Sequence, residues 1–227
     1  MANVVLHQWE ISPFCRKVRK ALRLKGVPYR SVDYNGVRAP QSARLAASRK
    51  LPVLDWDGQR VADSSLICEF LDAQVPAPPL YPTDRRDAAL ARLLEDWADE
   101  SLYYFEMHFR AAYPSAAAKA TELLCAGRPS WERHVVGPLF KRGLNRRLKA
   151  HGFDGWSNDQ IERWFFGHLD DVDAWLEDRQ WLVGDTQSIA DLAVSAQLEE
   201  MLRTSTLAER MLERPSMAAW LKRNVLD

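Results

Sequence analysis

Residues 3–22, NVVLHQWEISPFCRKVRKAL, decide the fold of this chain because they join a strand to a helix through a short turn. The first part of this stretch has the β-rich composition that is typical of a strand. Ser12-Pro13 favours the start of a helix, since proline suits the first helical position. Apolar side chains recur at helical spacing as far as Lys25, and Gly26 suits the C-terminal cap. A strand-turn-helix unit is therefore predicted.

Further strands and a second helix are predicted before the chain reaches a proline-rich segment. Tyr29–Tyr34 has the composition of a strand. Residues 53–56 and 59–62 are short apolar stretches on either side of Asp57-Gly58, a pattern that indicates an antiparallel hairpin. A helix over Ser64–Ala73 follows directly. The order of elements is βαβ, a variable segment, and then ββα.

Prolines are dense between Val75 and Thr83, where they exclude a helix and stiffen the chain as a linker does. We place a domain boundary in this segment. Beyond it apolar residues recur at steps of three and four, as at Leu90 and Leu94, and no strand signal of comparable strength follows. The sequence thus predicts an α/β domain over residues 1–77 and an all-helical domain over residues 86–227.

Charge and composition limit the classes of partner. Lys and Arg together number 31, Asp and Glu together also number 31, and the hydrophobic fraction is 47%. A balanced charge gives no global positive field for nucleic acid, so we expect small-molecule partners and no nucleic acid. One basic cluster interleaves with apolar residues at helical spacing, which favours the solvated side of an amphipathic helix. Its members are Lys141, Arg142, Arg146, Arg147 and Lys149.

Three cysteines, Cys15, Cys68 and Cys125, are odd in number and widely spaced, which argues against a secreted disulfide framework. The sequence contains no signal-peptide pattern and no run of membrane-spanning length. Patterns for metal sites (HExxH, paired CxxC), hydrolases (GxSxG) and dinucleotide binding (GxGxxG) are missing. We therefore expect a cytoplasmic protein without a metal site and without a membrane partner.

Four motifs occur in a characteristic order: SPFCRKVRKAL at 12–22, LPVL at 51–54, DSS at 63–65 and GDTQSIAD at 184–191. Together they resemble the cytosolic glutathione transferase family, and LHQWEISPF is most similar to its tau and omega-type group. The resemblance implies a thioredoxin-like α/β domain that binds glutathione as co-substrate, followed by an all-α domain. It also implies a homodimer that acts on small electrophilic substrates.

The resemblance assigns the activation of glutathione to Ser12. A protonated thiol is a weak nucleophile, and a hydroxyl donor together with the positive end of a helix favours its thiolate. Ser12 stands just before the helix that begins at Pro13 and could supply both. The structural alternative is that Ser12 only caps the helix nitrogens, as serine commonly does.

Other residues are carried over as glutathione contacts. Phe14 follows Ser12 closely, and Leu51-Pro52 is expected to be cis, so that its backbone faces the peptide of glutathione. Asp63 and Ser64 are expected to hold the γ-glutamyl end, or alternatively only to cap a helix, because a helix start favours an anion. Arg38, or else Lys50, is expected to hold the glycine carboxylate.

An apolar pocket for the electrophile is expected between the two domains. Its candidate residues are Trp9, Tyr104 and Met107, with Tyr103 beside them. Aromatic residues at helical spacing are also common in cores, so the same residues have a packing alternative.

Two alternative functions stay open. Ser-Pro-Phe-Cys has the spacing of a redox CxxC pair with serine in the first place, which would make Cys15 a thiol that reduces disulfides. The chain could also be a non-catalytic interaction module, because the family more often has glutamate or glutamine where this chain has Asp63.

Overall fold

The computed structural model describes residues 2–224 and shows a four-stranded sheet at the N-terminal end of the chain. Strand order is β2-β1-β3-β4, with β1 parallel to β2 and antiparallel to β3. β3 and β4 form the hairpin that the sequence predicts, with the same bounds. The strands are β1 (Val4–Gln8), β2 (Arg30–Asp33), β3 (Val53–Trp56) and β4 (Gln59–Ala62).

The first two helices lie between and after the strands, and the elements from Arg85 onward are helices. The helices are α1 (Pro13–Leu24), α2 (Ser64–Gln74), α3 (Arg85–Trp97), α4 (Tyr103–Ala112), α5 (Pro114–Leu124), α6 (Glu132–His151), α7 (Asn158–Trp175), α8 (Ile189–Thr204), α9 (Ala208–Met211) and α10 (Pro215–Asn224). A π-helical turn joins α3 to α4, and a 3-10 segment, Gly36–Arg44, follows β2. This is the α/β plus all-α architecture that the sequence predicts. No helix within residues 2–224 combines the length and the apolar character needed to cross a membrane.

Helix α1 packs against the sheet on one face and against a helix of the helical part on the other. Its apolar side chains Val18 and Leu22 are fully buried in the core that includes Leu6 and Leu54 of the sheet. Its other face carries arginines and lysines and packs against α8 of the helical part. The same helix therefore contributes to both parts of the molecule.

Lys17 is the most buried cation of α1. Its side chain is 1% exposed, and its Nζ lies 3.0 Å from Glu95 Oε1, 2.5 Å from Asp99 Oδ2 and 3.1 Å from Ser65 Oγ. Burial alone would lower the pKa of Lys17, but Asp99 and Glu95 raise it overall. Burial raises the pKa of Asp99 to about 6 against the opposing effect of Lys17. One ammonium group thus ties the sheet domain to the start of the helical part.

A second ionic cluster joins α1 to α8. Arg16 Nε lies 2.6 Å from Glu200 Oε1, and Lys20 Nζ lies 2.5 Å from Glu199 Oε1. Glu200 is fully buried and also lies 3.3 Å from Arg110 Nη2 of α4. Buried charges of this kind are tolerated only when they are paired, so the relative position of these helices is tightly specified.

The GDTQSIAD motif has a structural role, because its Ser188 and Asp191 form a capping box at the start of α8. Asp191 is fully buried in the first turn of α8 and accepts hydrogen bonds from the backbone N–H of Ser188 and of Leu182. The indole N–H of Trp220 donates to the same carboxylate at 2.8 Å. Asp191 therefore connects α8, α10 and the segment that precedes α8.

Replacement of Lys17 by methionine is expected to lower the free energy of unfolding by about 3 kcal/mol or more, because Glu95 and Asp99 then lose their buried cation. The loss should shrink as the pH falls below about 6, because the pKa of Asp99 is raised to about 6 by burial and its protonated carboxyl no longer needs a cation. Urea unfolding followed by circular dichroism measures it, with Lys149→Met on the exposed face of α6 as the matched control. Equal stability of the two variants would contradict this account.

Candidate active site

Ser12 lies in the turn between β1 and α1 and is the N-cap residue of α1. Its backbone is extended, and its Oγ accepts a hydrogen bond from the backbone N–H of Cys15 at 3.3 Å. Ser12 is 9% exposed, and the first turn of α1 contains no acidic residue. The hydroxyl thus stands at the uncompensated positive end of a helix, a position that favours an anion.

Several predicted site residues converge at one end of the sheet because of strand register. Val53, the first residue of β3, pairs with His7 near the end of β1 on one side and with Ala62 at the end of β4 on the other. Pro52, the β1–α1 turn and Asp63 each lie one or a few residues beyond these pairs. The register therefore brings three separate sequence motifs together.

The peptide bond between Leu51 and Pro52 is cis, the isomer that the resemblance implies. Pro52 is buried and Leu51 is half-buried.

Asp63 caps helix α2. Its Oδ1 accepts hydrogen bonds from the backbone N–H of Ser65 at 3.0 Å and of Leu66 at 3.4 Å. Asp63 is exposed and has a φ of +85°, which is a strained backbone conformation for a non-glycine residue. Ser64 is buried as the first residue of the helix. The structure therefore shows the capping role, and the predicted role in binding stays a prediction.

The segment that follows β2 carries Arg38. Both Arg38 and the alternative residue Lys50 are exposed. Because β2 runs parallel to β1, with Gln8 paired to Asp33, this segment leaves the sheet at the same end as Ser12. The assignment of a carboxylate-binding cation to Arg38 stays a prediction.

Three of the four candidate pocket residues, Tyr103, Tyr104 and Met107, belong to one cluster. Tyr103 packs edge-to-face against Phe14 of α1, with ring centroids 4.8 Å apart. Trp9 is half-buried, and its indole N–H has no acceptor among the described residues. Tyr104 stacks on Phe153. Tyr103 also contacts Tyr104, with ring centroids 6.3 Å apart, so it connects Phe14 of α1 to the aromatic residues of the helical part.

Met107 belongs to the same cluster as Tyr103 and Tyr104. It is 2% exposed and packs with Leu144 and Leu148 of α6. This is the packing alternative for Met107, and its place in a substrate pocket stays a prediction.

Cys15 lies inside the first turns of α1, and its side chain is fully buried. The backbone N–H of Trp9 donates to its Sγ at 3.4 Å. Burial raises the pKa of Cys15 to about 11, although the hydrogen bonds from Ser12 and Trp9 act in the opposite direction. A buried, protonated thiol is a poor nucleophile, so the geometry argues against a redox role for Cys15.

Two contacts that the sequence does not predict join residues near the site to the helical part of the molecule. Ile11, the residue before Ser12, packs with Ala120 and Leu124 of α5. The side chain of Asn35 donates to the carbonyl of Ala126 at 3.2 Å, near the start of the α5–α6 connection. None of these residues carries a signal in the sequence, because each contact joins elements far apart in the chain.

Glu132, the first residue of α6, reaches the segment after β2. Its Oε2 accepts a hydrogen bond from the backbone N–H of Val37 at 2.9 Å, and Arg128 binds the other oxygen at 2.6 Å. Gly36 has a φ of +63°, and a Cβ at this position would lie 1.8 Å from Glu132 Oε2. Only glycine fits at position 36 in this arrangement.

Family models of the glutathione S-transferase N-terminal domain and C-terminal domain match residues 6–79 and 166–225. The chain is 40% identical to glutathione transferase GST 23 of Zea mays over 218 residues, which cover 85% of this chain and 97% of that protein. The chain therefore belongs to the glutathione S-transferase family.

The first curated relatives are matched over shorter stretches. Glutathione S-transferase U3 of Arabidopsis thaliana is 38% identical over 94 residues, 40% of this chain and 42% of its own length, so the chain spans less than half of that relative. Among solved structures, the beta-etherase LigF of Sphingobium sp. strain SYK-6 superposes with a TM-score of 0.70 at 18% identity, covering 97% of this chain and 94% of that chain. This last likeness concerns the fold.

The three cysteines provide a direct test of the burial described here. Cys15, Cys68 and Cys125 are free and buried, and burial raises the pKa of Cys68 as well as that of Cys15. We expect none of the three to react rapidly with Ellman's reagent in the native protein at mildly alkaline pH, and all three to react in concentrated guanidinium chloride. A rapid native reaction that disappears in Cys15→Ala would restore the redox alternative.

Proposed function

We propose that this chain is a glutathione transferase in which Ser12 and the N-terminus of α1 activate the thiol of glutathione for attack on a small electrophile. The observation that carries the proposal is the convergence of Ser12, the cis peptide at Pro52 and Asp63 at one end of the sheet. These three motifs are far apart in the sequence and meet only through strand register.

Ser12 would act by favouring the thiolate over the thiol. Its hydroxyl would donate a hydrogen bond to the sulfur, while the dipole of α1 adds positive potential at the start of the helix. The thiol proton would leave to solvent. The thiolate would then form a bond from sulfur to the electrophilic carbon of the substrate, with departure of a leaving group or addition to an activated double bond.

The turn that presents Ser12 is held by two partly or fully buried guanidinium groups. Arg19 donates to the carbonyl of Glu10 at 3.3 Å, and Arg110 of α4 donates to the carbonyl of Ile11 at 3.4 Å. Both carbonyls belong to the residues just before Ser12. A fixed turn keeps a hydroxyl oriented, which supports a catalytic reading of Ser12 over a capping role alone.

The γ-glutamyl end of glutathione would lie at the N-terminus of α2. Within the described residues, both hydrogen bonds to the Asp63 carboxylate use Oδ1. The second oxygen would accept from the amino group of glutathione, while Ser64 and the helix N-terminus would receive the carboxylate. Phe14, Leu51 and Arg38 would complete the contacts, and Trp9 could offer its indole N–H to the electrophile.

Removal of the Ser12 hydroxyl tests the proposal. For Ser12→Ala we expect turnover to fall about tenfold or more, and the pKa of the bound thiol to rise by about one unit. Ultraviolet thiolate absorbance of the glutathione complex across a pH series measures this pKa. Ser12→Thr, which keeps a hydroxyl and can still cap the helix, is the matched control and should behave like the unaltered protein.

The outcomes of this titration separate the functions. Normal turnover of Ser12→Ala would remove Ser12 as the activating residue. Absence of glutathione binding by the unaltered protein at any concentration would favour a non-catalytic interaction module.

We also propose that the protein is a cytoplasmic homodimer. Its cysteines are all free, which suits a reducing compartment. Leu66 on α2 and Leu93 on α3 are 55% and 68% exposed, and Lys17 ties the neighbouring residues Ser65 and Glu95 to one ammonium group. Two exposed leucines on adjacent elements are typical of a surface that a second copy covers.

The double variant Leu66→Glu, Leu93→Glu is expected to be monomeric, because the added carboxylates would be buried without partners in such an interface. Sedimentation equilibrium measures the mass. Leu212→Glu, at an exposed leucine on a different part of the surface, is the matched control and should stay dimeric. A dimer in both variants would place the interface elsewhere.

A further inference from the structure

Helix α6 has one buried side and one side open to solvent. Leu144 and Leu148 are buried on its inner side. On the same side Val136 and Phe140 pack with Ile11. Residues three, four and seven positions apart share a side of a helix, and one such set on α6 is exposed throughout. This outer face of α6 is formed by Trp131, Val135, Pro138, Leu139, Arg142, Asn145, Arg146 and Lys149.

The first half of the outer face carries a row of apolar side chains. Trp131 is 56% exposed, Val135 is 45% exposed and Leu139 is 63% exposed. These residues stand four positions apart, so their side chains follow one another along the helix. This apolar row is a contiguous exposed patch, and such patches mark interaction surfaces more often than single exposed leucines do.

The second half of the outer face is basic. Arg142, Arg146 and Lys149 are exposed, and none of them forms an ion pair with a carboxylate among residues 2–224. Residues 133–153 contain no Asp and no Glu, although the chain has 31 acidic residues in total. This basic half therefore has a local positive charge without an internal counter-ion, in a chain of zero formal net charge.

The outer face is separate from the two surfaces proposed above. The body of α6 lies between this face and Ile11, the residue that precedes Ser12. The proposed dimer surface uses Leu66 of α2 and Leu93 of α3, which are different elements. An apolar row that continues into unpaired cations on one helix thus needs an occupant of its own.

We propose that the outer face of α6 binds the surface of a membrane that contains anionic lipids. The apolar row would enter the boundary between headgroups and acyl chains, while the basic half would pair with the anionic headgroups. An acidic protein would neutralise the cations but leave the apolar row in water. A neutral membrane would accept the apolar row but leave the cations without partners.

This mode of binding does not require a helix that spans the membrane. The sequence-based expectation of no membrane partner rests on the absence of a spanning run and of a signal peptide. A basic amphipathic helix that lies at a membrane surface needs neither of them.

Sedimentation with sucrose-loaded vesicles tests the proposal. Vesicles of phosphatidylcholine with about 30% phosphatidylserine should bind the unaltered protein at least about tenfold more tightly than vesicles of phosphatidylcholine alone. The double variant Arg142→Glu, Arg146→Glu should bind the mixed vesicles at least about thirtyfold more weakly. The control Arg85→Glu, Lys222→Glu makes the same change in net charge at exposed residues of α3 and α10 that form no ion pair among the described residues. It should change the affinity less than about twofold.

Leu139→Ser tests the apolar row separately from the charge. It should weaken binding to the mixed vesicles at least about fivefold, because less apolar surface then leaves water. Leu212→Ser, at an exposed leucine outside α6, is the matched control and should bind like the unaltered protein. Thermal unfolding confirms that each variant is folded.

Loss of binding in both outer-face variants, with neither control affected, supports the proposal. Equal loss in the two charge variants would show a general electrostatic effect and overturn it. Absence of binding to the mixed vesicles, or equal binding to phosphatidylcholine alone, would also overturn it. Soluble polyglutamate that binds as tightly as the mixed vesicles, with no effect of Leu139→Ser, would indicate an acidic protein partner and overturn it as well.

Discussion

The ion pairs of helix α1 are the interaction on which the rest of the structure depends. Val18 and Leu22 bind this helix to the sheet core, while Lys17 and Arg16 pair with carboxylates of the helical part. Since α1 also carries Ser12 at its start, the helix that would activate a thiol is the one that both parts of the molecule hold in place. A buried ion pair is stable only when its two charged groups are held at hydrogen-bonding distance. The orientation of the Ser12 turn therefore depends on how α8 and α3 pack against α1.

Local patterns in the sequence predict the secondary structure of the first part of the chain well. The bounds of the hairpin around Asp57-Gly58 match the predicted ones, because the turn type and the strand length are both encoded within a few residues. Helix α1 ends at Leu24, one residue before the predicted end. The capping motif at Ser188 and Asp191 is likewise local.

Long-range contacts are the part that the sequence does not predict. The basic residues of α1 have the pattern of a solvated helix face, yet Lys17 is 1% exposed because its partners lie on α3 and the turn after it. Tyr104 and Met107 have the same spacing whether they line a cleft or a core, and only the packing of α6 decides between the two. The burial of Cys15 also follows from tertiary packing, since a residue in the first turn of a helix can be either buried or exposed.

The contact between Gly36 and Glu132 limits how sheet domains and helical domains of different relatives can be recombined. The segment after β2 presents a glycine without a Cβ to a carboxylate that begins α6, and the carboxylate in turn holds the amide of Val37. In a chimera that keeps Glu132, any side chain at position 36 would displace the Glu132 carboxylate and break its hydrogen bond to the amide of Val37. Residues 36 and 132 therefore have to be inherited together, although 95 positions separate the hydrogen-bonded partners Val37 and Glu132 along the chain.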